Sequence, residues 1–227
     1  MGKKATKKTT KKNIGLTELI VVLDKSGSMY SIASDTIGGF NTLLSEQRKL
    51  GKNIMVSLVL FNDKYELVHN GIKITDVPNL DDTTYSPSGS TALLDTVGRT
   101  INAVNNRIDA TPKKNQPKKV IMAIITDGLE NCSSDFSRGQ IKDMIEHQKN
   151  EKKWEFVFIG ANQDAFAEGG SMGVVRGSSC NFSANSVGVR SAYIALSAHT
   201  KSYRTGGQGV DMTNAYNTAA QNNTNKV

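Results

Sequence analysis

The stretch Leu19-Ile20-Val21-Val22-Leu23-Asp24-Lys25-Ser26-Gly27-Ser28 decides the fold. Five consecutive apolar residues without polar alternation predict a strand buried on both faces, as in a parallel sheet. The run stops at a carboxylate. At the end of a buried strand a carboxylate is poorly solvated unless something compensates it, and N-capping of a following helix is the simplest compensation. Here the following residues offer another. Asp24, Ser26 and Ser28 place oxygen-bearing side chains at i, i+2 and i+4. In a turn they can converge on one point, and a carboxylate with two hydroxyls is a hard-donor set that suits Mg²⁺ or Mn²⁺.

Working outward, strands and helices alternate. Ser34 to Leu50 reads as a helix, with Ile37, Phe40, Leu43 and Leu44 on one face and Gly51 just past its end. Ile54 to Phe61 and Tyr65 to Ile74 flank the turn Asn62-Asp63-Lys64 and read as an antiparallel hairpin at one sheet edge. After a loop over 76–90, Leu94, Val97, Ile101, Val104 and Ile108 mark a helix over Thr91 to Ile108. Val120 to Ile125 is a second doubly buried strand, and it ends in Thr126-Asp127-Gly128. A helix over Phe136 to Gln148, a strand over Trp154 to Ile159, a short helix starting at Asp164 and a last helix over Ser186 to Tyr203 complete the pattern. This alternation predicts a doubly wound α/β fold: a mostly parallel central sheet with one antiparallel edge strand and helices on both faces. Right-handed crossovers bring the carboxyl ends of the strands to one edge, where such sheets bind ligands.

The chain has 227 residues, a length for one domain with tails. We place a basic, disordered tail at 1–15, the domain at 16–204 and a flexible Asn/Gly/Thr-rich tail at 205–227. The net charge is +7, but Lys3, Lys4, Lys7, Lys8, Lys11 and Lys12 account for six of it, and Lys113, Lys114, Lys118 and Lys119 for four more. The rest of the body is slightly acidic. That is not the footprint of a dedicated nucleic-acid domain, and no specific nucleic-acid partner is expected. The tail reads as a solvated arm, with weak contact to anionic surfaces as the alternative. The longest apolar run, Val120 to Ile125, is six residues, against the roughly 20 of a spanning helix, and no secretion signal is recognisable. Two cysteines, Cys132 and Cys180, therefore read as free thiols, and His69, His147 and His199 form no zinc spacing. A cytoplasmic location is expected.

Two further positions join the first loop. Thr91 ends Ser88-Gly89-Ser90-Thr91 at the head of a strong helix, where its hydroxyl can sit at the sheet edge; alone, it would read as an N-cap. Asp127 ends a buried strand as Asp24 does. Asp95, one turn after Thr91, could brace these loops or lie on the helix surface. Glu130 and Asn131 are candidates for the rim. Asn162 and Asp164 follow the neighbouring strand, either on the same edge or as helix caps. Trp154 reads as core.

Asp24-x-Ser26-x-Ser28, Thr91 and Asp127, in this order and in these settings, resemble the metal-ion-dependent adhesion site (MIDAS) of von Willebrand factor A (VWA) domains. The resemblance covers about residues 17–203. Gly89-Ser-Thr-Ala-Leu-Leu-Asp95, Thr126-Asp-Gly-Leu-Glu-Asn131 and 154–164 are similar to stand-alone bacterial and phage VWA proteins. The resemblance implies that Ser26, Ser28 and Thr91 coordinate Mg²⁺ (or Mn²⁺) through hydroxyls, and that Asp24 and Asp127 reach it directly or through water. It further implies that the ion attracts a Glu or Asp from a protein partner. The expectation is a non-enzymatic, cation-dependent protein-binding module, with a phage virion or surface adhesion component as the alternative. Metal-dependent hydrolysis is disfavoured, because no histidine lies in these loops and both aspartates are taken as ligands.

Overall fold

The computed structural model describes residues 15–161 and 164–224. All but Gly15 of the basic N-terminal tail, and Asn162, lie outside the described residues. The elements are β1 (Thr17–Asp24), α1 (Ala33–Lys49), β2 (Ile54–Phe61), β3 (Tyr65–Lys73), α2 (Leu93–Ala110), β4 (Lys119–Thr126), α3 (Arg138–Lys152), β5 (Glu155–Ala161), α4 (Ala165–Ser171), β6 (Ser179–Phe182), α5 (Ser186–Arg204) and α6 (Met212–Thr224). Short 3₁₀ turns cover Gly27–Ile32, Lys113–Asn115 and Arg176–Ser178.

One six-stranded sheet runs in the order β3-β2-β1-β4-β5-β6. Only the β2–β3 pair is antiparallel, so the expected edge hairpin and the doubly wound parallel sheet are both present. β1 is central and fully buried. Successive side chains of a strand point to opposite faces, and β1 follows that rule. Leu19, Val21 and Leu23 pack with Phe40, Leu43 and Leu44 of α1 and Leu196 of α5. Ile20 and Val22 pack with Val97, Ile101 and Val104 of α2 and Ile141 and Ile145 of α3. An unbroken apolar run is what a strand with a helical layer on each side requires. Trp154 lies in the second of these cores, its ring 6.1 Å from that of Phe156. Cys180 is buried and Cys132 exposed, and both are free.

The structure departs from expectation at its C-terminal end. Residues 205–227 were expected to be a flexible tail, yet α6 occupies 212–224. Met212 is fully buried, and Ala215 and Tyr216 pack against the α1/α5 core. The Tyr216 hydroxyl accepts a hydrogen bond from the Ser183 amide at 3.2 Å. The physical reason is a spacing of apolar residues, 212, 215, 216 and 219, that puts one narrow stripe on α5 despite the asparagines between. β6 is a further strand that sequence reasoning missed: its four residues, Ser-Cys-Asn-Phe, are too short and too polar to stand out.

Candidate metal centre

The four long parallel strands deliver an aspartate to the same sheet edge: Asp24 from β1, Asp63 just after β2, Asp127 just after β4 and Asp164 after β5. β1 and β4 are hydrogen-bonded neighbours, with Leu23 opposite Ile125. Asp24 therefore falls beside Thr126, whose hydroxyl donates to Asp24 Oδ2 at 2.6 Å. The Ser26 amide donates to Asp24 Oδ1, also at 2.6 Å, and the Tyr85 hydroxyl holds the Asp24 carbonyl at 2.6 Å.

β1 carries a buried acid near each end, and the two are treated differently. Glu18 is paired with the guanidinium of Arg107 and accepts from Ser57 Oγ at 2.8 Å. Asp24 is equally buried, but Lys25 turns away to pair with Glu66 at 2.5 Å. No basic side chain pairs with Asp24 or Asp127 among the described residues. Burial pushes the Asp24 carboxyl up to about 6, against the opposing pull of its bonds to Thr126 and Ser26, with the nearby charge of Asp127 adding to the rise. Burial likewise raises Asp127, against the bond from Ser28. Two buried carboxylates side by side without a counter-charge are unstable in their ionised form. A cation is what such a pair lacks.

The hydroxyls complete the cluster. Ser26 Oγ and Ser28 Oγ are 3.1 Å apart, and Ser28 Oγ donates to Asp127 Oδ1 at 2.5 Å. The 24–28 loop is tied to the 88–91 loop by Ser88 N to Lys25 O at 2.8 Å and Gly27 N to Gly89 O at 3.0 Å. Thr91 does not cap α2: the capping position is Ala92, which makes no side-chain bond there. Thr91 is instead clasped by Asn131, whose Oδ1 accepts from Thr91 N at 2.9 Å and whose amide donates to Thr91 O at 3.1 Å. Gly128 marks where the three loops meet. A Cβ there would lie 2.8 Å from Thr91 Oγ1, 3.5 Å from Ser28 Oγ and 3.6 Å from Asp24 Oδ2. Asp24, Ser26, Ser28, Thr91 and Asp127 are thus brought together around one small polar cradle. No group of three or more His, Cys, Asp or Glu that could hold a metal lies among the described residues. An ion here would rely on hydroxyls as well as carboxylates, and this donor set fits a hard divalent cation.

The remaining predicted residues have other partners. Asp95 braces the loop after β4, the first of its two sequence readings: it accepts from the amides of Ser134, Asp135 and Phe136, each at 2.9 Å. Burial would raise its carboxyl, but these three donors hold it below the usual carboxylate range. Glu130 accepts from Leu94 N, Ser133 N and Ser133 Oγ at 2.7–2.8 Å and from Cys132 N at 2.9 Å, locking the loop after β4 to the head of α2. Asp164 caps α4 through Phe166 N and Ala167 N, the capping alternative the sequence left open. Sequence reasoning missed Thr126, Tyr85, Gly128 and Asn62, whose side chain ties its own turn to Ser88 O at 2.7 Å. Thr126 and Gly128 flank Asp127 and were within reach of a register argument; Tyr85 lies in a loop whose path no periodicity reveals.

The fold and this edge can now be set beside known proteins. No protein-family model matches the sequence, and no curated protein matches it. Similar solved structures include proximal thread matrix protein 1 from the mussel byssus (TM-score 0.58, 11% identity, covering 81% of this chain and 48% of that one). A von Willebrand factor type A structure from Catenulispora acidiphila is similar as well (0.55, 12% identity, 83% and 43%). So is the SpRpn10 VWA domain (0.52, 11% identity, 86% and 98%). Another structure of the mussel protein has a zinc-occupied MIDAS motif. This chain spans less than half the length of the mussel and Catenulispora chains. At these identities the likeness establishes the fold, and the fold is that of a von Willebrand factor A domain.

Proposed function

We propose that this protein is a divalent-cation-dependent protein-binding module. Asp24, Ser26, Ser28, Thr91 and Asp127 would hold Mg²⁺ or Mn²⁺, and the ion would take a Glu or Asp side chain from a protein partner. The observation that carries this reading is the pair of buried carboxylates, Asp24 and Asp127, with no basic partner, gathered with three hydroxyls around Gly128. Bound there, the ion would supply positive charge that two carboxylates and neutral hydroxyls do not fully quench. The chain's own residues do the rest. Thr126 and Ser26 fix both oxygens of Asp24, Asn131 fixes Thr91, and Glu130 holds the loop after β4 against α2. A hydrolytic role is disfavoured because both carboxylates are engaged as acceptors and no histidine lies in these loops. No helix among the described residues is long and apolar enough to cross a membrane.

Calorimetric titration with Mn²⁺ or Mg²⁺ tests the assignment. Saturable one-site binding is expected, abolished by Asp24→Ala and weakened by Thr91→Ala. Equal heats from the wild-type protein and Asp24→Ala would place the ion elsewhere.

A further inference from the structure

The rim of the cradle carries two large apolar side chains in water. Tyr30 is 77% exposed and Leu129 62% exposed, the two most exposed large hydrophobic residues described. Each stands two residues beyond a cradle residue, Tyr30 after Ser28 and Leu129 after Asp127. The Ser28 hydroxyl touches the Asp127 carboxylate at 2.5 Å, so the two loops meet there, and each carries one of the apolar groups just beyond the meeting point.

Neither side chain sits on a loose loop. The 3₁₀ turn beneath Tyr30 is pinned by Met29 and Ile32, buried in the α1 core, and by the bond from Met29 N to Ser26 O at 3.1 Å. Leu129 lies between Gly128, whose amide donates to Thr126 Oγ1 at 3.1 Å, and Glu130 with its four bonds. Exposed apolar groups on a rigid frame, beside a polar site, are the arrangement of a recognition surface. The surrounding charges point the same way. Asp63 borders the cradle, its carboxylate lying against Gly89, and Glu130 stands on the loop after β4; Glu66 and Asp135 on the same edge are neutralised by Lys25 and Arg99. Next to the cradle, Asp63 and Glu130 repel further acids.

We infer that the cradle takes a partner segment in which a single Asp or Glu is flanked by apolar side chains, with Tyr30 and Leu129 packing on those flanks. This rests on the proposed metal site and specifies what that site selects. Runs of acids are poor ligands, because only one carboxylate meets the ion and its neighbours face Asp63 and Glu130. The acid supplies the contact with the ion; the flanks supply burial of area that the free protein leaves in water.

The test uses the full chain and a library of synthetic peptides with a fixed central Asp or Glu and randomised flanks, screened in Mn²⁺ and in EDTA. In Mn²⁺ the expected enrichment is for Leu, Ile, Phe, Tyr or Met beside the acid, and it disappears in EDTA. The double variant Tyr30→Ser, Leu129→Ser should bind Mn²⁺ as the wild type does by calorimetry, keep its melting temperature, and lose about tenfold or more in flank enrichment. Tyr30→Phe should retain it. Selection of the acid with unbiased flanks, or an unchanged profile in the double variant, would overturn the inference while leaving the metal site standing. Apolar enrichment that persists in EDTA would also overturn it, showing a patch independent of the ion. A wild-type protein that binds no Mn²⁺ would remove the metal site itself, and calorimetry alone detects that outcome.

Discussion

Asp24 is the residue on which the most chemistry converges. Its carboxyl titrates near 6 in the folded protein, against 3.8 for an ordinary aspartate. The folded state therefore holds this proton more tightly than the unfolded state. Stability tied to Asp24 is full below pH 3.8 and falls as pH rises through about 6. The loss amounts to about 3 kcal/mol by neutral pH. We expect urea unfolding in EDTA to show the wild type losing this much relative to Asp24→Asn between about pH 4 and pH 7. Mg²⁺ should restore the wild type at neutral pH and leave Asp24→Asn unmoved. Gly128 gives a second expectation. Gly128→Ala places a methyl 2.8 Å from Thr91 Oγ1 and should weaken Mn²⁺ binding by about tenfold or more with the fold intact. Gly139→Ala on α3, where nothing lies within 4 Å, is the neutral control. The cradle residues were legible because each sits at a strand end or helix head that hydrophobic patterning marks. The bracing role of Asp95 was legible as one of two options, but its partners and the work of Glu130 were not, since they are bonds to backbone amides whose positions depend on the course of the loop after β4.

At the scale of elements, patterning served best where burial is extensive. The unbroken apolar runs of β1 and β4 and the 3-4-3-4 spacing of α2 leave few alternatives. β6 is short, and half of its residues are serine and asparagine. α6 was read as tail because Asn214, Asn217, Asn222 and Asn223 dominate its composition. The apolar stripe 212, 215, 216, 219 is nonetheless of helical period, and composition masked it. The consequence is measurable. Met212 is fully buried in the α1/α5 core, so Met212→Ala should destabilise the protein by about 2–4 kcal/mol. Removal of 205–227 should lower the melting temperature clearly, where a flexible tail would have made no difference.

At the scale of the whole molecule, the parallel sheet sorts charge by its own direction. The four long parallel strands lead to an aspartate at one edge, while lysines gather ahead of them at the other. Lys52 precedes β2, Lys113, Lys114 and Lys118 precede β4, and Lys153 precedes β5. Basic residues where helices end are favoured by the helix dipole in any case, but the lysines of 113–118 lie outside α2. We expect contact with anionic vesicles to be independent of EDTA, to fall steeply with salt, and to drop on deletion of residues 1–12. Partner peptides at the cradle should show the reverse: loss in EDTA and tolerance of salt. Vesicle binding abolished by EDTA would assign that contact to the cradle instead.

The position of β1 has a mechanical meaning. It lies between β2 and β4, parallel to both, with paired registers from Thr17 to Asp24 on one side and Thr17 to Leu23 on the other. The cradle loop leaves its carboxyl end, and the chain enters at its amino end. Tension between a partner gripped at the cradle and anything attached ahead of Thr17 would pull β1 along its own axis. Both ladders would then be loaded in shear, their hydrogen bonds resisting together rather than parting one by one. The β2–β3 hairpin at the sheet edge lies off this line of force. A pull along this line would meet both ladders of the central strand at once.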